Sequence, residues 1–365
     1  MKNKNNSGIG RREFLKKGMV TIGAITAVPV LDPFEGLFNA PRPVVSIVKI
    51  KDDHVDYAVE QAIDLLGGIS NVAKKYRKIM LKPNLVSDDP NSTTKPAVIR
   101  TLAQLMKKAG KEVCIGEGSA AASGINADAQ GVYFTRKSEL LDKMQQQVFD
   151  KLGYSDLARE LGVPLVNLHT GELVDVEVPD GHFFKRLTIH KSLRDIDMLC
   201  SVPMMKTHAL ATVTLGMKNV IGLYPGTEYC SVRSCVHTMA EEGGSPGIAY
   251  EILDMVKANK LGLTVIDGSM AMEGEGPSYG KLVKMNLIIA GTNPLATDMV
   301  AAATMGFEPG EVPVFAVAHR SGMHPGSLDE IEIRGEVIQD VSRKFARATV
   351  VPWHSVKNWF GAKEV

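Results

Sequence analysis

Cysteine is scarce in this chain: there are four in 365 residues. That is too few to staple a protein of this size, so a hydrophobic core must hold it together. No apolar run reaches the roughly 20 residues of a membrane-spanning helix. The nearest approach, at residues 19–31, is short, only mildly apolar and interrupted by Pro29. No segment repeats at a fixed period and none is low in complexity, which excludes solenoids and disordered linkers. Charge of one sign is not in excess either, since the net charge is +1. That balance conceals an asymmetry. Lys2, Lys4, Arg11, Arg12, Lys16 and Lys17 against Glu13 give the first 17 residues a net +5, which leaves −4 for the rest. A mildly acidic body lacks the basic surface that nucleic acid requires, so no nucleic-acid partner is expected. There is no Cys-x-x-Cys spacing, which argues against a ferredoxin-type iron–sulfur cluster. The Walker and dinucleotide fingerprints are absent too. The Gly116-Glu117-Gly118-Ser119 turn is not a nucleophile elbow, because its central residue is Glu.

What is present begins with the leader. Gly10-Arg11-Arg12-Glu13-Phe14-Leu15-Lys16-Lys17 precedes the mild apolar run, the layout of an export signal. The arginine pair with its Phe-Leu-Lys tail resembles the twin-arginine signal, with Gly10 where Ser or Thr is usual. Residues 1–40 are therefore expected to be a signal region and linker. The implied partner is the twin-arginine translocation machinery and the implied location is periplasmic or otherwise extracytoplasmic. Membrane contact is expected only through an uncleaved leader. Residues 41–350 then form the body, and residues 351–365 a tail.

In the body, short apolar runs rich in β-formers end in turns bearing Gly, Asn or Pro, with helical patterns between them. Residues 78–81 read as a strand. Residues 96–109 read as a helix, with Pro96 in its first turn and apolar residues at Val98, Leu102, Leu105 and Met106. Residues 111–115 read as the next strand, which completes a β-α-β unit. Strands are also expected at 197–202, 263–266 and 287–290, helices at 212–220 and 295–305, and a hairpin from 173–178 and 183–189. The fold class is α/β, a mainly parallel open sheet with helices on both faces and a small antiparallel excursion. Polar clusters fall just after the carboxyl ends of strands, where ligands bind in such sheets.

Those clusters are also familiar words. Leu81-Lys82-Pro83-Asn84-Leu85-Val86, Gly116-Glu117-Gly118-Ser119, Ser201 to His208, Thr214-Leu215-Gly216-Met217-Lys218-Asn219, Ile266-Asp267-Gly268, Met272-Glu273-Gly274 and Gly276-Pro277 occur in that order. Together, from about residue 44 to about 325, they resemble the family called domain of unknown function 362. That family has no settled general activity. Some members append a ferredoxin-like segment, for which this chain lacks the cysteines. The family usually has Pro-Lys-Met-Lys-Thr-His where this chain has Met204 in place of the first lysine, which leaves Lys206 as the basic candidate. At the level of fold, the body is distantly similar to nickel-dependent racemase-type α/β proteins.

Lys206 and His208, two apart after a buried strand, would supply a cation and a proton-transfer group, with Glu273 as the partnering carboxylate. Lys82, Asn84, Glu117, Ser119, Thr207, Lys218, Asn219, Asp267 and Asn293 complete the expected ligand-binding set. Lysines and amide donors around one pocket suit a small anionic molecule. The spacing Cys230-x4-Cys235-x-His237 offers soft metal ligands, a local disulfide being the alternative. The cofactor is otherwise unidentified, and a divalent or transition metal is compatible with these residues. The favoured activity is an enzyme acting on a small anion. The alternatives are a non-catalytic protein that binds or matures a ligand, metal or cofactor, and an electron-transfer accessory.

Overall fold

The computed structural model describes residues 42–233, 236 and 248–349. The leader, Cys235, His237 and the tail at 351–365 lie outside the described residues. The strands are β1 (Val44–Lys49), β2 (Lys78–Pro83), β3 (Glu112–Glu117), β4 (Ala127–Asp128), β5 (Gly131–Val132), β6 (Leu165–Asn167), β7 (Leu173–Glu177), β8 (Arg186–His190), β9 (Met198–Val202), β10 (Met204–His208), β11 (Thr212–Thr214), β12 (Leu261–Glu273), β13 (Lys281–Val283), β14 (Leu287–Gly291) and β15 (Glu332–Gly335). The main helices are α1 (Val55–Leu65), α2 (Pro96–Lys108), α3 (Ser138–Lys151), α4 (Tyr154–Leu161), the single turn α5 (Gly216–Asn219), α6 (Ile248–Ala258), α7 (Pro294–Thr304) and α8 (Pro313–Arg320).

The architecture is α/β. One sheet runs β15-β1-β14-β12-β9-β2-β3-β6, with β10, β11 and β13 branching from it. The stretch β12-β9-β2-β3-β6 is parallel throughout. β14 runs against its neighbours β1 and β12, and of the branching strands β11 runs against β10 and β13 against β12. The antiparallel contribution therefore sits inside the sheet as well as in the separate β7–β8 hairpin.

Helices cover both faces because the central strands are apolar on both sides. Ile79 and Leu81 of β2 face one core with α1, α2 and α4, while Met80 faces the other with α6, α7 and α8. The same alternation recurs in β9, where Met198, Cys200 and Val202 oppose Leu199. Helix α2 starts with Pro96 in its first turn, presents Val98, Ile99, Leu102 and Met106 to the core, and stops at Gly110, whose φ is 73°. A left-handed residue there is how helices commonly end.

Three expectations are corrected. The Lys206-Thr207-His208 segment is not a turn but strand β10, because β9 breaks at Pro203 and resumes. The strand expected at 263–266 does not end at Asp267-Gly268. It continues to Glu273 because β10, β13 and β14 all supply backbone partners along it. The helix expected over 212–220 is instead β11, then α5, then a 3-10 turn at Val220–Leu223.

One feature of connectivity places the site. From β2 the chain moves outward through β3 to β6, then returns to the other side of β2 through β9 to β12. The strand order therefore reverses between β2 and β9. At such a reversal the connecting segments leave in opposite directions and open a crevice at the carboxyl ends.

Candidate functional site

A cavity of about 680 Å³ lies at that carboxyl edge. Its polar floor comes from the ends of β2 and β3. Lys82 Nζ donates to Glu117 Oε1 at 2.7 Å, to Asn219 Oδ1 at 3.1 Å and to the Pro83 carbonyl at 3.1 Å. Both side chains of this ion pair are almost fully buried, at 1% and 2% exposure. Glu117 also accepts from the amides of Leu85 (2.9 Å) and Gly118 (2.8 Å). Burial pulls the Lys82 ammonium below its usual range, against the pull of Glu117. The 3-10 turn after α5 passes directly over the pair. A Cβ at Gly222 would sit 2.5 Å from Glu117 Oε1 and 2.6 Å from Lys82 Nζ, so only glycine fits.

Above the floor are three more basic groups and a histidine. Lys206, fully buried, donates to the carbonyls of Ser92 (2.6 Å) and Pro277 (3.0 Å), lacing together two loops over the cavity. Burial, and then the nearby Lys218 charge, pushes it down to about 7. The side chain of Lys218, partly buried on α5, makes no hydrogen bond or ion pair among the described residues. Burial pushes it down to about 7; the charges of Arg233 and Lys82 add to this and that of Glu251 opposes it. Arg233 donates to the carbonyls of Ser119 (2.9 Å), Gly222 (3.1 Å), Gly118 and Ser231, and burial lowers it to about 10. Among the described residues its Nε is buried without a hydrogen-bond partner, as is the Asn84 Oδ1 in the cavity wall. His208 Nδ1 accepts from the amides of Leu210 (3.0 Å) and Ala211 (3.3 Å), which puts the proton of the neutral ring on Nε2.

Carboxylates reach the mouth through Asp88, Asp89, Asp128 and Glu275. Asp88 is committed to Lys151, Gln147 and Ser123, which lower it to about 2 against its partial burial. Glu275 is bound to Thr349. The rest of the wall is largely apolar, including Leu85, Val86, Ile221 and Val232, with Tyr279 exposed at the rim.

Of the residues expected from sequence, the cavity gathers Lys82, Asn84, Glu117, Lys206, His208, Lys218 and Asn219. The others lie elsewhere and have local tasks. Thr207 points to the opposite face of β10 and bonds the Gly274 carbonyl at 2.7 Å. Ser119 contributes backbone: its amide binds Gln145 and its carbonyl binds His169 and Arg233. Asp267 accepts from the Lys95 amide and from the amide and hydroxyl of Ser269. Glu273 binds Arg343 and the Ala346 amide, both at 3.1 Å. Asn293 caps α7 through the Ala296 amide at 2.9 Å. Cys230 is buried, and the other two members of its spacing lie outside the described residues.

Sequence reasoning missed Arg233, which sits in no motif. It also missed the task of Asp298. Its two oxygens each accept, at 2.8 Å, from the Gly216 and Met217 amides, holding the start of the turn that carries Lys218 and Asn219. Burial raises this carboxyl to about 7 against those two amides. Among the described residues no helix is long and apolar enough to cross a membrane.

Comparison with known proteins finds a family and a few relatives. The family model described as domain of unknown function (DUF362) matches residues 79–303, a span that contains every basic group of the cavity and Asp298. The "thylakoid-associated protein sll1697" of Synechocystis sp. is 28% identical over 270 residues, covering 73% of this chain and 75% of its own. Among solved structures, the lactate racemase apoprotein of Thermoanaerobacterium thermosaccharolyticum aligns over 69% of this chain with a TM-score of 0.40 and 17% identity. A Thermotoga maritima protein aligns over 62% with a TM-score of 0.37 and 16% identity. The chain spans about half the length of these two structures, 54% and 53%.

Proposed function

This chain belongs to the DUF362 family, and we propose that its cavity binds a small organic anion and acts on it as an exported enzyme. The observation that carries the reading is the gathering of four basic groups in the cavity wall. Lys82, Lys206, Lys218 and Arg233 all line it, while Glu117 is paired with Lys82, Asp88 with Lys151, and Asp89, Asp128 and Glu275 belong to the mouth. Among the described residues Lys218 makes no ion pair, the buried Glu251 charge acting on it through space, and Lys206 is held by two carbonyls. Basic groups desolvated without partners are costly, and an anion entering the cavity relieves that cost. His208, on the same wall, supplies a proton-transfer group.

Thermal unfolding with inorganic phosphate, acetate and small oxo acids tests the reading. A ligand present at 100 times its Kd adds about 2.7 kcal/mol of stability. Lys218→Met keeps the apolar stem and removes the charge, so it should weaken this effect while leaving the unliganded protein folded. Failure of every anion to raise Tm would refute the proposal.

Export is part of the same reading and rests on Arg11 and Arg12. A relative named for its thylakoid association is in keeping with work at or beyond a membrane. The test is fractionation of cells expressing the full chain. Arg11→Lys with Arg12→Lys should leave the protein in the cytoplasm, and unchanged export would refute the twin-arginine route.

A further inference from the structure

The three cavity lysines are not equivalent. Lys82 donates to three acceptors and is spent on holding structure, whereas Lys206 donates to two carbonyls and keeps one N–H for a ligand. The nitrogen of Lys218 makes no hydrogen bond or ion pair among the described residues, although the side chain is partly buried and lines the cavity. Its backbone, by contrast, is held firmly. Asp298 grips the amides of Gly216 and Met217 at 2.8 Å each. Asn219, the next residue, is tied to Lys82, Ser201 and Asn84. An amine presented on a fixed turn, desolvated, left unbonded among the described residues, and set beside the positive charges of Arg233 and Lys82, which oppose the pull of the Glu251 carboxylate, is an arrangement that activates lysine as a nucleophile.

We propose that Lys218 is a nucleophilic amine that forms a Schiff base with an organic anion bearing an aldehyde or ketone carbonyl. The proposal rests on the anion-binding reading, with Lys206 holding the negative group. The neutral amine of Lys218 adds to the carbonyl carbon, giving a carbinolamine. The new hydroxyl then takes a proton and leaves as water while the nitrogen lone pair closes the C=N bond. One water is released, nothing is oxidised or reduced, and hydrolysis reverses the step. His208, which also lines the cavity, is the residue assigned to give the leaving hydroxyl its proton. Because burial lowers Lys218 to about 7, the neutral amine is available under ordinary conditions.

Reductive trapping on the full chain tests this directly. The protein is incubated with pyruvate and cyanoborohydride at neutral pH, and the modified peptides are mapped by mass spectrometry. The expected product is a Lys218 heavier by pyruvic acid less one oxygen. Its rate should exceed that of the exposed comparator Lys74 by up to about 1,000-fold, the ratio of neutral fractions at neutral pH between an amine near 7 and an ordinary lysine side chain. Labelling of Lys218 should level off just above neutral pH, while exposed lysines keep gaining reactivity toward about pH 10. Lys218→Met and Lys218→Arg should both lose the adduct. Because the site is mapped on the unmodified sequence, misfolding of a variant does not spoil the experiment. If phosphate raises Tm but Lys218 labels no faster than Lys74, the amine role is overturned and the anion site stands. If neither phosphate nor pyruvate raises Tm and Lys218 is not labelled, both readings fall.

Discussion

The Lys82–Glu117 pair offers the sharpest test of how the cavity is built. Replacing Lys82 by Met leaves a carboxylate 2% exposed without its cation, and leaves Asn219 Oδ1 with only the Asn84 amide at 3.2 Å. Glu117 would keep the Leu85 and Gly118 amides, so the loss is of charge compensation and not of every hydrogen bond. Breaking a buried pair by removing one partner costs about 3–5 kcal/mol. For a domain of this size roughly 2 °C of Tm is lost per kcal/mol, so a fall on the order of 6–10 °C is expected. Glu117→Gln strands the ammonium and should cost a similar amount. The double variant Lys82→Met/Glu117→Gln removes both charges, and its loss should be well short of the sum of the two single losses. The assay is a double-mutant cycle by urea unfolding at neutral pH. A coupling energy near zero, with each single variant within about 1 kcal/mol of the parent, would refute the claim that this pair sets the cavity floor.

Four further outcomes follow from the same geometry. Gly222→Ala puts a methyl group against Glu117 Oε1 and Lys82 Nζ; both atoms are pinned by hydrogen bonds, so calorimetry should show a loss of about 1–3 kcal/mol. Anion affinity should weaken above neutral pH, because Lys206 and Lys218 lose their protons near 7; titration with phosphate over a pH series checks this, and a flat profile would exclude both lysines from binding. In the unliganded protein these lysines bind fewer protons folded than unfolded between about 7 and 10.5, so their contribution to stability rises with pH across that window. Asp298 has the opposite sign: its carboxyl holds a proton in the folded state up to about 7 but is ionised above 3.8 when unfolded, so its contribution falls as pH rises between those values. Subtracting the urea-unfolding profile of Asp298→Asn from that of the parent isolates this limb, and a pH-independent difference would contradict it.

Much of the fold was legible because period and punctuation agreed. Pro96 and Gly110 bracketed α2, and the apolar spacing between them matched the face that reaches the core. The errors share a cause. Asp267-Gly268 and Lys206-Thr207-His208 carry the residue types of turns, yet both lie in strands. What overrode local chemistry was pairing with strands distant in sequence: β14 and β13 along β12, and β11 and β12 beside β10. Such partners leave no trace in the segment itself.

The site divides along a similar line. Sequence shows which residues end a strand, but the pleat decides which of them face the crevice. On β10, Lys206 and His208 share the cavity face and Thr207 takes the other. A carboxylate in a glycine-rich stretch reads equally as an acid–base group or as an acceptor for backbone amides. Asp267 and Glu273 proved to be acceptors because Lys95, Ser269, Arg343 and Ala346 converge on them from segments far away in the chain. Arg233 could not be found from its neighbours at all, since it reaches the cavity through a backbone φ of 58° and four carbonyl contacts. The four basic groups thus come from three separate stretches of chain: β2, the β10–α5 stretch, and the segment at 231–233. Their charges act on one another only in the folded state. Hence the property on which the proposed anion site rests, a Lys218 amine desolvated beside Arg233 and Lys82 and opposed by Glu251, is a property of the packing and not of any motif.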